Sequence, residues 1–223
     1  MTTQDFAHLP GDGAPVLLFG GTFDPVHRAH TELGFWARDR VCPGAWLVFV
    51  PAAISPHKSE RPTPGRHRVE MLRLACRGRS RWWVWTEELR RAATSDEPSY
   101  WVDTLEAAKS GDELRFIIGS DQALAFHRWH RWQDILTLAR PVVIARGPID
   151  SASRLREAMA ESGWPRQHAE SFLERATLLD TPIMDVNATL IRAQLAAGGS
   201  GPIDGLDHAV QRYAVKHGLY TRG

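Results

Sequence analysis

Residues 16–30 read VLLFGGTFDPVHRAH, and this stretch decides the fold. Its first four residues form an apolar run that is typical of a strand buried on both faces. Gly20 and Gly21 then allow a sharp turn and a close approach of a ligand to the backbone. Asp24 followed by Pro25 predicts the start of a helix, with Asp24 as its cap. Together these features predict an anion site made of backbone N–H groups and the helix dipole.

Short apolar runs recur along the rest of the chain, with segments of helical periodicity between them. Most runs lack polar alternation, as expected of a parallel sheet that helices cover on both faces. The runs are Val16–Phe19, Trp46–Val50, Trp82–Thr86, Leu114–Ile118, Val142–Ala145 and Ala176–Leu179. The helical segments include Arg66–Cys76, Ser153–Glu161 and Gly205–His217, with Gly218 as the stop of the last one. The alternation predicts one α/β domain over residues 1–223, with an open, mostly parallel twisted sheet and a flexible segment at residues 1–13.

Composition and charge narrow the class of protein. The chain has 223 residues, of which 43% are hydrophobic, and its 27 basic and 26 acidic residues leave a net charge of +1. This balance argues against a nucleic-acid partner. Cys42 and Cys76 are expected to be reduced thiols. The first fifteen residues lack the apolar core of a signal peptide, and the stretch Ala45–Ile54 is too short to span a bilayer. We therefore expect a cytoplasmic protein without membrane contact; a homo-oligomer is compatible with the sequence.

Two histidines stand out in the first motif. His27 and His30 are three residues apart, so they should share one face of the predicted helix. Imidazoles beside an anion site are natural phosphate ligands, because both ring nitrogens can donate hydrogen bonds. Asp24 with the two histidines could instead bind a metal ion. Ordinary structural histidines are the third interpretation, and spacing alone leaves all three open.

The segment Gly20–His30 closely resembles the GGTFDPxHxGH signature of nucleotidyltransferases that form dinucleotides from ATP, above all the bacterial nicotinate-nucleotide adenylyltransferases. Ala29 stands where that family has a glycine. The resemblance implies a Rossmann-like nucleotidyltransferase fold and makes His27 and His30 the catalytic residues. It also implies that the ATP phosphates bind to the backbone of four residues that follow the first apolar run, namely Gly20, Gly21, Thr22 and Phe23.

Two further segments resemble the same family. Ile54–Lys58 is similar to its PPHK motif, in which Lys58 would contact a substrate phosphate. Residues 98–105 are similar to its PSYTxxTL motif, which lines the pyridine-nucleotide pocket. Trp101 replaces the threonine of that motif. The residues implied to line the pocket are Ser99, Tyr100, Trp101 and Val102.

The remaining motifs follow in the family's order. Gly119 and Asp121 end an apolar run, at the sheet edge where ligands of open α/β sheets bind, and the Asp121 carboxylate could accept hydrogen bonds from ribose hydroxyls. Trp129, eight residues later, matches the family's tryptophan that stacks on the pyridine ring, and the flanking His127 and His130 are interpreted as structural. Residues 185–192 resemble ISATxIR, and residues 213–220 resemble the family's closing helix and tail. In the first of these two segments Asn187 replaces a serine and begins a helix, so Thr189 and Arg192 should hold the β- and γ-phosphates.

The resemblance implies adenylyl transfer from ATP to nicotinate mononucleotide, with Mg²⁺ on the ATP phosphates as cofactor. The substrate could also be nicotinamide mononucleotide or another phosphorylated small molecule. From different classes, a metal-dependent hydrolase that uses Asp24, His27 and His30, or a binding module without turnover, would also be compatible with the first motif.

Overall fold

The computed structural model describes residues 7–53, 62–95, 98–108, 114–145, 147, 149, 151–180, 184, 186–198 and 201–221. The described strands are β1 (Val16–Gly21), β2 (Trp46–Pro51), β3 (Trp82–Val84), β4 (Arg115–Gly119), β5 (Arg140–Ile144) and β6 (Thr177–Leu179). Each one overlaps a predicted apolar run. The sheet order is β3-β2-β1-β4-β5-β6, and every pairing is parallel. The prediction of an open α/β sheet is confirmed.

The described α-helices connect the strands. They are α1 (Arg28–Val41), α2 (Gly65–Ala75), α3 (Glu87–Ala92), α4 (Trp101–Ala108), α5 (Ser120–Ala125), α6 (Trp132–Leu138), α7 (Ala152–Glu161), α8 (Arg166–Arg175), α9 (Ala188–Ala196) and α10 (His208–Lys216). A short 3-10 turn, Phe126–Arg128, follows α5. The last helix begins three residues later than predicted and ends before Gly218, whose φ of 60° suits the predicted stop. In the part of the chain described, no helix has the length and apolar character needed to cross a bilayer.

Alternate residues of the central strands face two separate cores, which explains why their sequences are apolar without interruption. Leu18 and Val48 lie in the core that α4 to α8 cover. Leu17 and Leu47 lie in the core that α1, α2, α9 and α10 cover. A one-residue shift in register would move each side chain of a strand into the other core.

The strand order reverses between β1 and β4, which are neighbours in the sheet but distant in the chain. The helices that follow two such strands leave the sheet on opposite faces, and this opens a crevice beyond the carboxyl ends of the strands. Gly21 ends β1 and Gly119 ends β4. Both predicted phosphate-binding and ribose-binding segments therefore start at this crevice.

Residues 7–13 are the described part of the segment that the sequence predicts to be flexible, and three tryptophans donate hydrogen bonds to them. The indole N–H of Trp83 donates to the carbonyl of His8 over 2.7 Å, and that of Trp85 donates to Ala7 over 3.1 Å. Trp46 donates to a carboxylate oxygen of Asp12 over 2.9 Å. These tryptophans lie in β2, in β3 and directly after β3, so the hydrogen bonds join the segment to that side of the sheet. Its flexibility stays a prediction.

Candidate active site

The two glycines at the end of β1 leave room for aromatic rings of the same chain. A Cβ atom at Gly20 would lie 2.8 Å from Cζ3 of Trp101, and one at Gly21 would lie 3.0 Å from the Phe23 ring. Neither glycine has a positive φ; the left-handed residue of the turn is Phe23, with φ of 52°. The glycines are needed for packing inside the protein, whereas the sequence suggested a turn and ligand approach.

Phe23 orients one of the predicted catalytic side chains. Its ring is buried and makes edge-to-face contacts with Phe19 and Phe49 of the sheet. The same ring meets His30 at a centroid distance of 5.0 Å and an interplanar angle of 77°. Because the buried Phe23 ring lies against the imidazole, it limits the rotation of the His30 side chain.

His27 and His30 lie side by side, as the motif required, but for a different reason from the one predicted. Helix α1 starts at Arg28, so His27 is its N-cap and only His30 is helical. The ring centroids are 3.8 Å apart. The His27 backbone N–H donates to Nδ1 of His30 over 3.3 Å. Because Nδ1 accepts this bond, the neutral His30 ring carries its proton on Nε2, where it can be donated to a ligand oxygen.

Asp24 is not the cap of α1, which corrects the sequence prediction. Its Oδ1 accepts a hydrogen bond from the Tyr220 hydroxyl over 2.6 Å, and its Oδ2 accepts one from the Thr63 N–H over 3.0 Å. Asp24, His27 and His30 do not form a group that could hold a metal ion, and no such group of three is found among the described residues. The donor arrangement therefore does not fit the metal-dependent hydrolase interpretation.

The first amide of α1 also differs from its predicted role. The N–H of Arg28 donates to the Gly205 carbonyl over 2.7 Å. Gly205 has a φ of 76°, and a Cβ there would lie 2.5 Å from Val186. The helix start is thus partly closed by the loop before α10, which leaves the histidine side chains and the turn before them as the groups that could meet an anion.

The start of α9 lies against the first motif. Asn187 caps the helix, and its side chain accepts from the N–H groups of Thr189 (2.8 Å) and Leu190 (3.2 Å). Arg192 donates from Nη1 to the Asp24 carbonyl over 2.7 Å and from Nη2 to the Thr189 hydroxyl over 3.2 Å. Thr189 and Arg192 therefore share a helix face, as predicted. Two amides of this helix are committed to Asn187, so the hydroxyl and the guanidinium are the groups best placed for phosphate.

The predicted ribose and ring-stacking residues follow β4. Asp121 lies in the first turn of α5, where its side chain is exposed and accepts from Gln122 over 3.3 Å. Trp129 follows the 3-10 turn and is half-buried, with its ring 5.0 Å from that of Phe126. Asp121 therefore lies next to the carboxyl end of β4, whereas Trp129 lies one short helix and a 3-10 turn further along the chain. Their proposed contacts with substrates stay predictions.

The segment that resembles the pyridine-pocket motif opens α4. Tyr100 is 36% exposed, and its ring contacts that of His130 at a centroid distance of 4.2 Å and an interplanar angle of 32°. Trp101 packs on Gly20 and Phe116, and its Nε1 is buried with no hydrogen-bond acceptor in the described part of the chain. The Val102 side chain is fully buried in the core, so only its backbone could contact a ligand.

Sequence reasoning missed the arginine that holds this segment. Arg91 donates from Nη2 to the hydroxyls of Ser99 (2.7 Å) and Thr104 (2.8 Å). The Thr104 hydroxyl donates in turn to Glu88, whose pKa is raised to about 7 because burial disfavours the carboxylate. Nothing in the sequence distinguished Arg91 from a solvated helix arginine.

Arg68 and Tyr220 were missed as well. Arg68 is 1% exposed and donates to the carbonyls of Thr63 (2.7 Å) and Thr22 (2.8 Å). Burial lowers the pKa of its guanidinium, and the Asp24 carboxylate opposes that shift. The apolar stripe of α2 predicted a helix but gave no sign that this arginine points inward. Lys58 and its motif lie outside the described residues.

Comparisons with known proteins agree with this geometry. The chain matches the model of the cytidylyltransferase-like family over residues 18–194. It is 36% identical to the probable nicotinate-nucleotide adenylyltransferase of Pectobacterium atrosepticum over 211 residues, which cover 91% of this chain and 96% of that protein. It is also 36% identical to the protein of the same name from Laribacter hongkongensis over 215 residues, which cover 91% of this chain and 93% of that protein.

A solved structure supports the fold. The nicotinic acid mononucleotide adenylyltransferase of Plasmodium falciparum complexed with NaAD superposes with a TM-score of 0.66 at 17% identity, covering 93% of this chain and 97% of that one. The sheet order, the paired histidines and the extent of these matches lead to one conclusion. The chain belongs to the cytidylyltransferase-like family, among the nicotinate-nucleotide adenylyltransferases.

Proposed function

We propose that this protein transfers the adenylyl group of ATP to nicotinate mononucleotide. In this reaction the 5′-phosphate of the mononucleotide attacks the α-phosphorus of ATP, the bond to the β-phosphate oxygen breaks, and pyrophosphate leaves. Relatives named probable nicotinate-nucleotide adenylyltransferase align with 91% of the chain. The observation that carries the proposal is the bond from Arg192 to the Asp24 carbonyl, because it joins the two predicted phosphate segments at the crevice of the sheet.

This reaction requires the protein to position the two substrates and to stabilise negative charge. A phosphate monoester has a second pKa of about 6, so the attacking phosphate is already ionised at neutral pH and needs no general base. Two anionic phosphates must nevertheless approach each other, and negative charge grows on the leaving pyrophosphate. Fixed hydrogen-bond donors that meet this charge supply the rate enhancement.

The side chains at the crevice divide these tasks. His30, with its Nε2 proton, and His27 beside it would stabilise charge on the α-phosphoryl oxygens. Arg192 and Thr189 would hold the departing pyrophosphate, because a guanidinium suits bidentate phosphate contacts. Backbone groups of Gly20 to Phe23 would contact the ATP phosphates, and Lys58 the attacking phosphate.

The nucleosides would lie to either side of the phosphates. Gly119 and Asp121 would bind the ATP ribose. Trp129 would stack on the pyridine ring, with the Ser99–Val102 segment beside it. The Arg91 bonds to Ser99 and Thr104 would hold this segment in place.

Mg²⁺ would bind together with ATP, on its phosphates. The described residues offer no group of three metal ligands, and both Asp24 carboxylate oxygens already accept hydrogen bonds. Phosphate and water oxygens would therefore be its main ligands, which suits an ion that retains much of its hydration. The bound ion supplies charge neutralisation on the phosphates.

The test is pyrophosphate release from ATP and Mg²⁺ with nicotinate mononucleotide, compared with nicotinamide mononucleotide. Turnover with the acid and little with the amide is the expected result. A preference for the amide would change the substrate and give Trp101, which replaces the family's threonine, a role in that change. Binding of ATP without turnover on either mononucleotide would reject the proposed second substrate. Stoichiometric zinc in the purified protein would revive the hydrolase interpretation.

A further inference from the structure

Asp24 is bound by three distant parts of the chain. Its Oδ1 accepts from the Tyr220 hydroxyl, its Oδ2 from the Thr63 N–H, and its backbone carbonyl from Arg192. These partners come from the C-terminal tail, the segment before α2, and α9. Asp24 itself lies between the glycine turn and His27. Any movement of Asp24 would therefore shift both the turn and the arginine proposed to hold pyrophosphate.

The bond from Tyr220 is short, and its donor is kept protonated. The distance of 2.6 Å between the two oxygens is typical of a hydroxyl that donates to a charged carboxylate. Burial, and after it the neighbouring Asp24, raise the pKa of the Tyr220 hydroxyl. The hydroxyl therefore remains a donor across the working pH range. Such a bond fixes the rotation of the Asp24 side chain.

The backbone of Tyr220 adopts a conformation that side-chain-bearing residues rarely use. Its φ is 66°, in the left-handed region. Tyr220 follows α10, and its hydroxyl also lies 4.0 Å from the Met71 sulfur. A strained residue at the end of a chain persists only where its surroundings hold it. Here those surroundings are Asp24 and the core beneath it.

The Asp24 carboxylate also balances the positive charge of a buried arginine, Arg68. Arg68 is almost fully buried and braces the turn through the carbonyls of Thr22 and Thr63. Asp24 is the first of the acidic groups that favour the charged form of Arg68. A buried cation needs its counter-charge in a defined place. The hydrogen bonds from Tyr220 and the Thr63 N–H fix the side chain that carries this counter-charge.

We infer that Tyr220 is a positioning residue for adenylyl transfer: its hydroxyl fixes Asp24, and Asp24 fixes both Arg192 and the turn that leads to His27. This inference rests on the proposed function. It assigns a role to the C-terminal tail, since the interacting atoms of Tyr220 and Asp24 belong to residues 196 positions apart. Tyr220 acts through Asp24 and need not touch a substrate.

The test compares Tyr220→Phe with Tyr213→Phe. Each substitution removes one hydroxyl from the same region, but the Tyr213 hydroxyl pairs with His67 Nδ1 over 2.9 Å, away from Asp24. We expect Tyr220→Phe to lower kcat about tenfold while KM for nicotinate mononucleotide stays within about twofold, since a small misplacement of charge-stabilising groups reduces the rate. Tyr213→Phe should leave kcat unchanged. Equal kcat values for Tyr220→Phe and the unmodified protein would overturn the inference.

A second comparison separates positioning from a general loss of structure. In an Arg192→Lys background, one ammonium nitrogen replaces the two guanidinium nitrogens that contact Asp24 and Thr189 separately. The fixed two-point contact is then lost, so Tyr220→Phe should cost no more than about twofold in kcat. An undiminished tenfold loss there would show that Tyr220 does not act through Arg192. If Tyr220→Phe does not fold, Asp24→Ala replaces it, because it removes the oxygen that accepts from Tyr220, and an unchanged kcat for that variant would overturn the inference equally.

ATP binding distinguishes failure of the inference from failure of the proposed function. The readout is the rise in the thermal unfolding midpoint when ATP and Mg²⁺ are added, which needs no second substrate. A smaller rise for Tyr220→Phe than for Tyr213→Phe supports the positioning role even if nicotinate mononucleotide is not turned over. Equal rises together with equal kcat values reject the positioning role, and no rise in the unmodified protein rejects both proposals.

Discussion

At the residue scale, the arrangement around His30 has a direct consequence for catalysis. Packing against Phe23 and the bond from the His27 N–H leave Nε2 as the donor atom. If that donor meets charge that develops in the transition state, His30→Ala should lower kcat by about tenfold to a thousandfold with little change in KM. Steady-state kinetics of pyrophosphate release measure this.

The matched control for that prediction is His208→Ala. His208 is exposed at the start of α10, so its removal should leave kcat as it was. A His30→Ala enzyme with nearly unmodified kcat would remove His30 from the catalytic residues. A rise in KM for ATP at unchanged kcat would reassign it to ground-state binding.

Trp129 supports a prediction about substrate binding. Its ring is half-buried against Phe126, so one part of the indole remains available for stacking. Trp129→Ala should raise KM for nicotinate mononucleotide about tenfold or more, the scale of one lost stacking contact, with a much smaller effect on KM for ATP. Trp36→Ala, on α1, is the control. Similar increases for both substrates would contradict the stacking role.

At the element scale, strands were easier to predict than helix starts, for physical reasons. A strand buried on both faces needs an apolar run, and such a run is visible in consecutive residues of the sequence, for example Val16–Phe19. The start of α1 was placed too early because Asp24 and Pro25 satisfy the local rules for a cap. Contacts with Tyr220 and Thr63 override those rules, and no local pattern encodes a partner 196 residues away. The histidine pair was found because its spacing is local.

The start of α9 gives the prediction for this scale. Asn187 accepts from two amides at the first turn, and the helix carries Thr189 and Arg192. Asn187→Ala should reduce the free energy of unfolding by about 1 kcal/mol, the usual loss for a removed cap, and raise KM for ATP. Asn187→Ser, which restores the family's residue and can still cap, should lose little. Urea denaturation and ATP kinetics measure both; an Ala variant as stable as the Ser variant would refute the capping role.

At the scale of the whole molecule, the site joins segments from nearly the full chain. The strand order brings the ends of β1 and β4 together, and the closing helices bring Arg192 and Tyr220 to the same crevice. Sequence could place each motif at a strand end or helix start, but not the buried charges that tie them together. Arg68, Arg91 and Glu88 look like solvated helix residues until the chain is folded.

Glu88 makes the stability of the whole molecule depend on pH. The side chain is buried between α3 and α4, where the Thr104 hydroxyl donates to it. Burial raises its pKa from 4.5 to about 7, although the charge of Arg91 opposes the shift. Between these two pH values the unfolded chain has lost this proton and the folded protein still binds it. Folding stability should therefore fall as pH rises through this window, by about 3 kcal/mol at most.

Replacement of Glu88 by glutamine should remove this dependence. The amide keeps the size of the side chain and an oxygen that can accept from Thr104, but it does not titrate. The free energy of unfolding in urea, measured from about pH 4.5 to above about pH 7, should therefore fall less steeply in Glu88→Gln than in the unmodified protein. Glu157→Gln removes an exposed carboxyl group and should leave the slope unchanged. Parallel profiles for Glu88→Gln and the unmodified protein would mean that Glu88 ionises alike in the folded and unfolded chains, and the pH dependence would then have to arise elsewhere.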